Sequence, residues 1–211
     1  LQPADEYTFL VMVTPVGSYY KGGMGNPVKG LLVDSYDRAA PRGVGHVKVA
    51  GNYAADLKPN IGAKNQGFPI ALYLDAATQT LVEEFSTSNF VGIKRESKKY
   101  VTPVSGSVLP SITNKSLMQL ANADGYTVEQ RDVPLDELHQ FDEVLAVGTA
   151  VVVTPVGSVT RFGKETSDET VYTFGTNQDQ VGPTTKHLYD RVRNIQNGVE
   201  EDTFGWNVKV V

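Results

Sequence analysis

One amine, one acid and two turns rich in backbone donors stand out in this 211-residue chain. Lys48 lies in "HVKVAGNY", an alternating stretch whose pattern predicts a strand with Val47 and Val49 on one face and His46, Lys48 and Ala50 on the other. Glycine follows directly, allowing backbone or ligand to come close. A carboxylate pair, Glu83 and Glu84, sits where an apolar hairpin strand would otherwise continue, ahead of the small hydroxyl residues of "FSTSN". "LPSIT" opens a predicted helix, whose free N–H groups and dipole favour an anion. "GTA" interrupts a very apolar strand and would aim backbone donors and a threonine hydroxyl into a cavity.

An amine, an acid and two anion cradles are the parts that a pyridoxal phosphate site needs: a Schiff-base lysine, a carboxylate for the pyridine nitrogen and a phosphate cup. Each part also has an ordinary reading. A lysine on a strand face is commonly solvated, two glutamates can be exposed strand positions, "LPSIT" can be a plain helix start, and "GTA" a plain turn.

Other chemistries fit less well. The three histidines lie far apart without metal-ligand spacing and there is no cysteine, so a metal site and thiolate chemistry are not expected. "KGGMGN" lacks the strand-to-helix setting and lysine-hydroxyl ending of a nucleotide-phosphate loop, and no nucleophile elbow is present. The net charge of −5 argues against a nucleic-acid surface. "VLAVGTAVVVTPV" is too short to cross a bilayer, so no membrane partner is expected. The start "LQPADEYTF" has neither the basic nor the apolar region of a signal peptide, and the missing initiator methionine points to a chain that begins partway through a longer protein.

The elements that must position these groups follow from pattern. "YTFLVMVTPV", Tyr7 to Val16, is predicted as a central strand and "VKGLLVDSY" as a second, with a flexible "KGGMGNP" between them. After Gly51, Ala54, Leu57 and Ile61 fall at helical spacing, with Pro59 expected to kink or shorten the helix. "PIALYLD" and "TLVEEF" form a hairpin, and "NFVGIK", "KYVTPV" and "YTVEQRDVP" are further strands. A helix is expected from "LPSIT" to Gly125 with Leu117, Leu120 and Ala121 inward and Ser111 or Thr113 as cap. "LDELHQF" reads as a short helix, "EVLAVGTAVVVTPV" as a long buried strand pair, and Pro183 to Gly198 as a helix burying Leu188, Val192 and Ile195. "VTPVGS" occurs at Val13 and Val153, each copy expected to be a strand closed by proline and glycine. Many strands with few helices, not regularly alternating, make an α+β domain.

Taken in order, "KVAGNYAADL", "LVEEFSTSNF", "LPSIT" and "VGTAVVVTPVGSV" resemble the branched-chain amino-acid aminotransferases, fold-type IV pyridoxal-phosphate enzymes, over nearly the whole chain. The resemblance implies a β-rich pseudo-barrel with flanking helices, and an assignment of roles residue by residue. Lys48 matches the lysine that binds the cofactor aldehyde, and Tyr53 the tyrosine on the ring oxygen. Glu84, with Ser86 and Asn89, matches the signature in which the glutamate meets the pyridine nitrogen. Leu109, Ile112, Thr113 and Thr149 match phosphate contacts, while the backbone of Thr149 and Ala150 matches the donors for the substrate carboxylate. Ala50, Val91 and Asn114 depart from the residues usual beside these motifs.

The resemblance further implies pyridoxal 5'-phosphate as cofactor, leucine, isoleucine and valine with their 2-oxo acids as partners, α-ketoglutarate as acceptor, and a cytoplasmic homodimer for the whole protein. Residues 1–211 are then expected to be the large cofactor-binding domain without the family's small N-terminal domain, and to turn over little substrate alone. A D-amino-acid aminotransferase or aminodeoxychorismate lyase of the same fold, and a catalytically silent binding module, remain the alternatives.

Overall fold

The computed structural model describes residues 2–15, 24–163 and 168–210. In chain order the elements are β1 (Val28–Val33), α1 (Ala50–Asn65), β2 (Ile70–Leu74), β3 (Val82–Phe85), β4 (Ser88–Lys94), β5 (Lys99–Thr102), α2 (Ile112–Ala123), β6 (Thr127–Gln130), a 3-10 turn (Leu135–Gln140), β7 (Glu143–Gly148), β8 (Val152–Phe162), β9 (Glu169–Thr173) and α3 (Pro183–Gln196).

Strands β3, β2, β1, β8, β7 and β4 neighbour one another in that order, and β3 pairs with β4 as well, so the pairings run round a ring. β1 is parallel to both β2 and β8, and the remaining contacts of the ring are antiparallel. β5 and β6 extend it from β4, and β9 from β8. This is a barrel-like sheet with a few flanking helices, the α+β architecture expected.

Alternate residues of the ring strands enter different cores. Leu72, Leu74, Phe90, Val144 and Ala146 join one cluster; Val91, Ile93, Leu145 and Val147 pack against α2 and α3 through Leu117, Leu120, Leu188 and Ile195; and Ala71 and Tyr73 meet Ala63 of α1. Strands covered on both faces read as continuous apolar runs, which is why "EVLAVG" shows no alternation.

Four expectations are corrected. Residues 7–15 form no strand, and Phe9 is 91% and Val13 94% exposed; Val16 lies outside the described residues. His46 to Val49 is turn and loop, and Ala50 already begins α1. The amide of Asn52 donates to the carbonyls of Val44 and Val47, both at 2.9 Å, and folds the segment back onto the helix, so its alternation meets no neighbouring strand. α1 buries Asp56, Pro59 and Ala63 instead of Leu57 and Ile61, because Tyr73 donates its hydroxyl to Asp56 and Ala63 packs on the sheet; Pro59 is absorbed within one helix. The second "VTPVGS" lies inside β8 rather than closing a strand. β1 joins β8 only from Val156 onward, so the N–H that Pro155 lacks falls where β8 has a neighbour on one side only.

Candidate active site

Adjacent residues of a strand point to opposite faces, so Glu83 and Glu84 of β3 turn their carboxyls to different partners. Both are nevertheless buried, at 6% and 3% exposure, and a buried carboxyl must find donors. A tight turn at Ser86 and Thr87 sets Asn89 directly across from Glu84. The Asn89 amide donates to Glu84 Oε2 at 3.2 Å and to the Leu109 carbonyl at 2.8 Å. Glu84 Oε1 accepts from the Leu109 N–H at 3.2 Å and is ion-paired with the Arg38 guanidinium. Burial pushes the Glu84 carboxyl up to about 7, against the downward pull of Arg38 and the Leu109 N–H; neighbouring Glu83 adds to the rise.

The loop through Leu109 leads into α2. Ser111 caps that helix, its hydroxyl accepting from the Asn114 N–H at 3.1 Å. The N–H groups of Ile112 and Thr113 belong to the first turn, where position denies them an intrahelical acceptor, and they remain available to an anion. Ile112 is exposed and Thr113 half-buried.

Lys48 is exposed in the loop before α1, with its ammonium 5.9 Å from the Tyr53 ring centroid. No hydrogen bond or ion pair among the described residues joins Lys48 to Glu84. Their segments do meet: Gly45 is packed so closely on the next loop that a Cβ there would lie 2.8 Å from Ser107 Cα, and Arg38, which holds Glu84, also donates to the Ser107 carbonyl at 2.8 Å.

Thr149 and Ala150 form the exposed turn between β7 and β8. The register of the sheet sets Asn89 against Val147, two residues before Thr149. Val152 closes the turn at φ 64°, a left-handed conformation rare for a β-branched residue. Glu84, Asn89 and Leu109 are thus in direct contact, Ile112 and Thr113 follow on the same segment, Thr149 and Ala150 lie beyond Asn89's partner strand, and Lys48 with Tyr53 forms a separate pair.

Arg38, Ser105 and Ser107 went unnoticed in the sequence. An arginine within "DRAAPRGVG" and serines within "VSGS" carry no periodicity, and only tertiary contact reveals them. Among the described residues no group of three or more His, Cys, Asp or Glu side chains is placed to hold a metal, and no helix is long and apolar enough to cross a membrane.

The sequence profile of the family described as amino-transferase class IV matches residues 3–159. A branched-chain-amino-acid aminotransferase of Haemophilus influenzae is 44% identical over 216 residues, covering 100% of this chain and 60% of its own length. The crystal structure of the Escherichia coli branched-chain amino acid aminotransferase superposes with a TM-score of 0.75 at 27% identity, over 92% of this chain and 59% of that one. A T.th. branched-chain amino acid aminotransferase, complexed with N-(5'-phosphopyridoxyl)-L-glutamate, gives 0.71 at 25% identity, over 85% of this chain and 55% of its own. The chain spans about half to three fifths of the length of the relatives it matches.

Proposed function

Because this chain belongs to the class IV aminotransferase family, we propose that it forms the cofactor-binding part of a pyridoxal-phosphate-dependent branched-chain amino-acid aminotransferase, acting on leucine, isoleucine and valine with α-ketoglutarate as acceptor. The observation that carries this reading is the buried Glu84 carboxyl held by Arg38, Asn89 and the Leu109 N–H beside a helix N-terminus.

These residues fit the cofactor. A carboxylate offers about four acceptor positions, and Glu84 has three donors, leaving one for a ring N–H. The Ile112 and Thr113 N–H groups, with the Thr113 hydroxyl, suit a phosphate, and Thr149 would give it a further contact. When bound, pyridoxal 5'-phosphate would supply an aldehyde that takes up the substrate amino group and a ring that accepts electrons.

The chain's own residues would supply the rest. Lys48, with an exposed amine on a loop, would hold the cofactor aldehyde and then carry a proton to and from the reacting carbon as general base and acid. Glu84 would keep a proton on the ring nitrogen, and Arg38 would favour the ionised carboxyl that does so. Tyr53, beside Lys48, would donate its hydroxyl to the ring oxygen. Backbone N–H groups of Thr149 and Ala150 would hold the substrate carboxylate. None of these selects a branched side chain, so turnover by the isolated chain is expected to be low.

In the whole protein we propose a homodimer contact on α1, where Leu57 and Ile61, four residues apart, are 59% and 55% exposed. Borohydride reduction of the chain mixed with pyridoxal 5'-phosphate, followed by peptide mass spectrometry, tests the reading. Cofactor mass on the Lys48 peptide, and its loss in Lys48→Ala, is expected; a chain left colourless and unlabelled overturns it. Comparing leucine with D-alanine in the full-length protein separates this enzyme from others of the same fold.

A further inference from the structure

Glu83 takes no part in the chemistry proposed above, yet it is buried beside Glu84. Among the described residues its carboxyl meets no cation. Instead Ser105 donates to Oε1 at 2.6 Å and Ser107 to Oε2. The two serine hydroxyl oxygens lie 2.9 Å apart, with both protons directed at the carboxylate, and the Ser107 N–H donates to Ser105 Oγ at 3.1 Å. A second carboxyl buried next to the first raises the cost of ionising Glu84 and adds no ion pair, so a contribution to stability alone is a poor account of it.

The tethered loop explains it better. Between Ser105 and Leu109 lie the Ser107 carbonyl that receives Arg38 and the Leu109 N–H and carbonyl that engage Glu84 and Asn89. Two residues beyond Leu109, Ser111 starts α2. The other wall of the loop is the segment leading to Lys48: a Cβ at Gly106 would lie 2.6 Å from the Pro41 carbonyl oxygen. One short loop therefore touches the acid, faces the amine's segment and carries the anion cradle.

We infer that Glu83 is a positioning residue, which through Ser105 and Ser107 sets the α2 N-terminus at a fixed distance from Glu84 and so matches the site to a phosphorylated ring rather than to an unphosphorylated one. This rests on the proposed function, since it concerns the same cofactor. Glu83 reaches neither ring nor phosphate; it acts through the loop. In Glu83→Leu both acceptor oxygens are removed, and the double tether is lost.

The test compares pyridoxal 5'-phosphate with pyridoxal, both titrated by absorbance into the 211-residue chain and into Glu83→Leu and Ser107→Ala. The variants are expected to bind the phosphorylated compound about tenfold more weakly while pyridoxal affinity changes less than about twofold, a change in ratio that loss of overall stability does not produce. Hydrogen exchange without any cofactor gives an independent reading: the Leu109, Asn114 and Lys115 amides, hydrogen-bonded to Glu84 and Ser111, are expected to exchange faster in both variants while those of α3 keep their rates. Wild-type chain that binds the phosphorylated compound, with variants that keep both the affinity ratio and the exchange rates, overturns this inference alone. Wild-type chain that binds neither compound overturns the proposed function, and the inference with it.

Discussion

Arg38 and Glu84, 46 residues apart in sequence, form an ion pair inside the protein, with side-chain exposures of 11% and 4%. The arginine comes from an irregular loop after β1 and the glutamate from the middle of a hairpin, so nothing local brings them together. Their pairing opposes the desolvation of the carboxyl without abolishing it, and leaves Glu84 near neutrality in its affinity for a proton.

That balance makes stability depend on pH. Burial raises the Glu84 carboxyl from 4.5 to about 7, so between these values the folded chain keeps a proton that the unfolded chain has released. The contribution of Glu84 is fully present below about 4.5 and is lost as pH rises through about 7, by about 3 kcal/mol in all. Urea unfolding from pH 5 to 8 should show this decline, and Glu84→Gln should flatten it. An unchanged decline in the variant would contradict the assignment.

Removing the cation should move the carboxyl further. In Arg38→Met, Glu84 loses its ion pair and is expected to titrate above 7, visible as a displaced side-chain carboxyl resonance in carbon-13 NMR. At pH 8 the variant should lose about 3 kcal/mol of stability, and markedly less at pH 5, where Glu84 is protonated.

Close packing of the two loops predicts a cost at Gly45. A Cβ there would lie 2.7 Å from the Ala40 carbonyl oxygen and 2.8 Å from Ser107 Cα, both backbone atoms that cannot rotate away. Gly45→Ala should therefore destabilise the chain by about 1–3 kcal/mol in chemical denaturation. A neutral result would show that the loops part readily.

The exposed pair on α1 predicts the opposite for Leu57. With Leu57 at 59% exposure, Leu57→Glu should change the stability of the chain by no more than about 0.5 kcal/mol. Sedimentation equilibrium of the full-length protein then reads the proposed dimer contact, with weaker association expected in the variant. A strongly destabilised chain would instead place Leu57 in the core.

Local rules carried much of this protein into view. The α2 stripe of Leu117, Leu120 and Ala121, the Ser111 cap and the stop at Gly125, which has φ 80°, follow from short-range periodicity and backbone preference, and appear as the pattern requires. The same holds for the β2–β3 hairpin and for α3 with Pro183 in its first turn. Lys48, the Glu83 and Glu84 pair and the two turns stand out by residue type, and only the family resemblance selects Glu84 from the pair. What the tertiary structure decided is which face is inside and which donors converge. α1 buries Asp56 because Tyr73 meets it from the sheet, while Leu57 and Ile61, apolar and well spaced, stay outside. Arg38, Ser105 and Ser107 have polar side chains whose partners come from distant segments, and such contacts leave no periodic trace. Periodicity records a residue's relation to its own element; the charge and hydrogen bonding of a buried site depend on other elements, and only folding brings those to it.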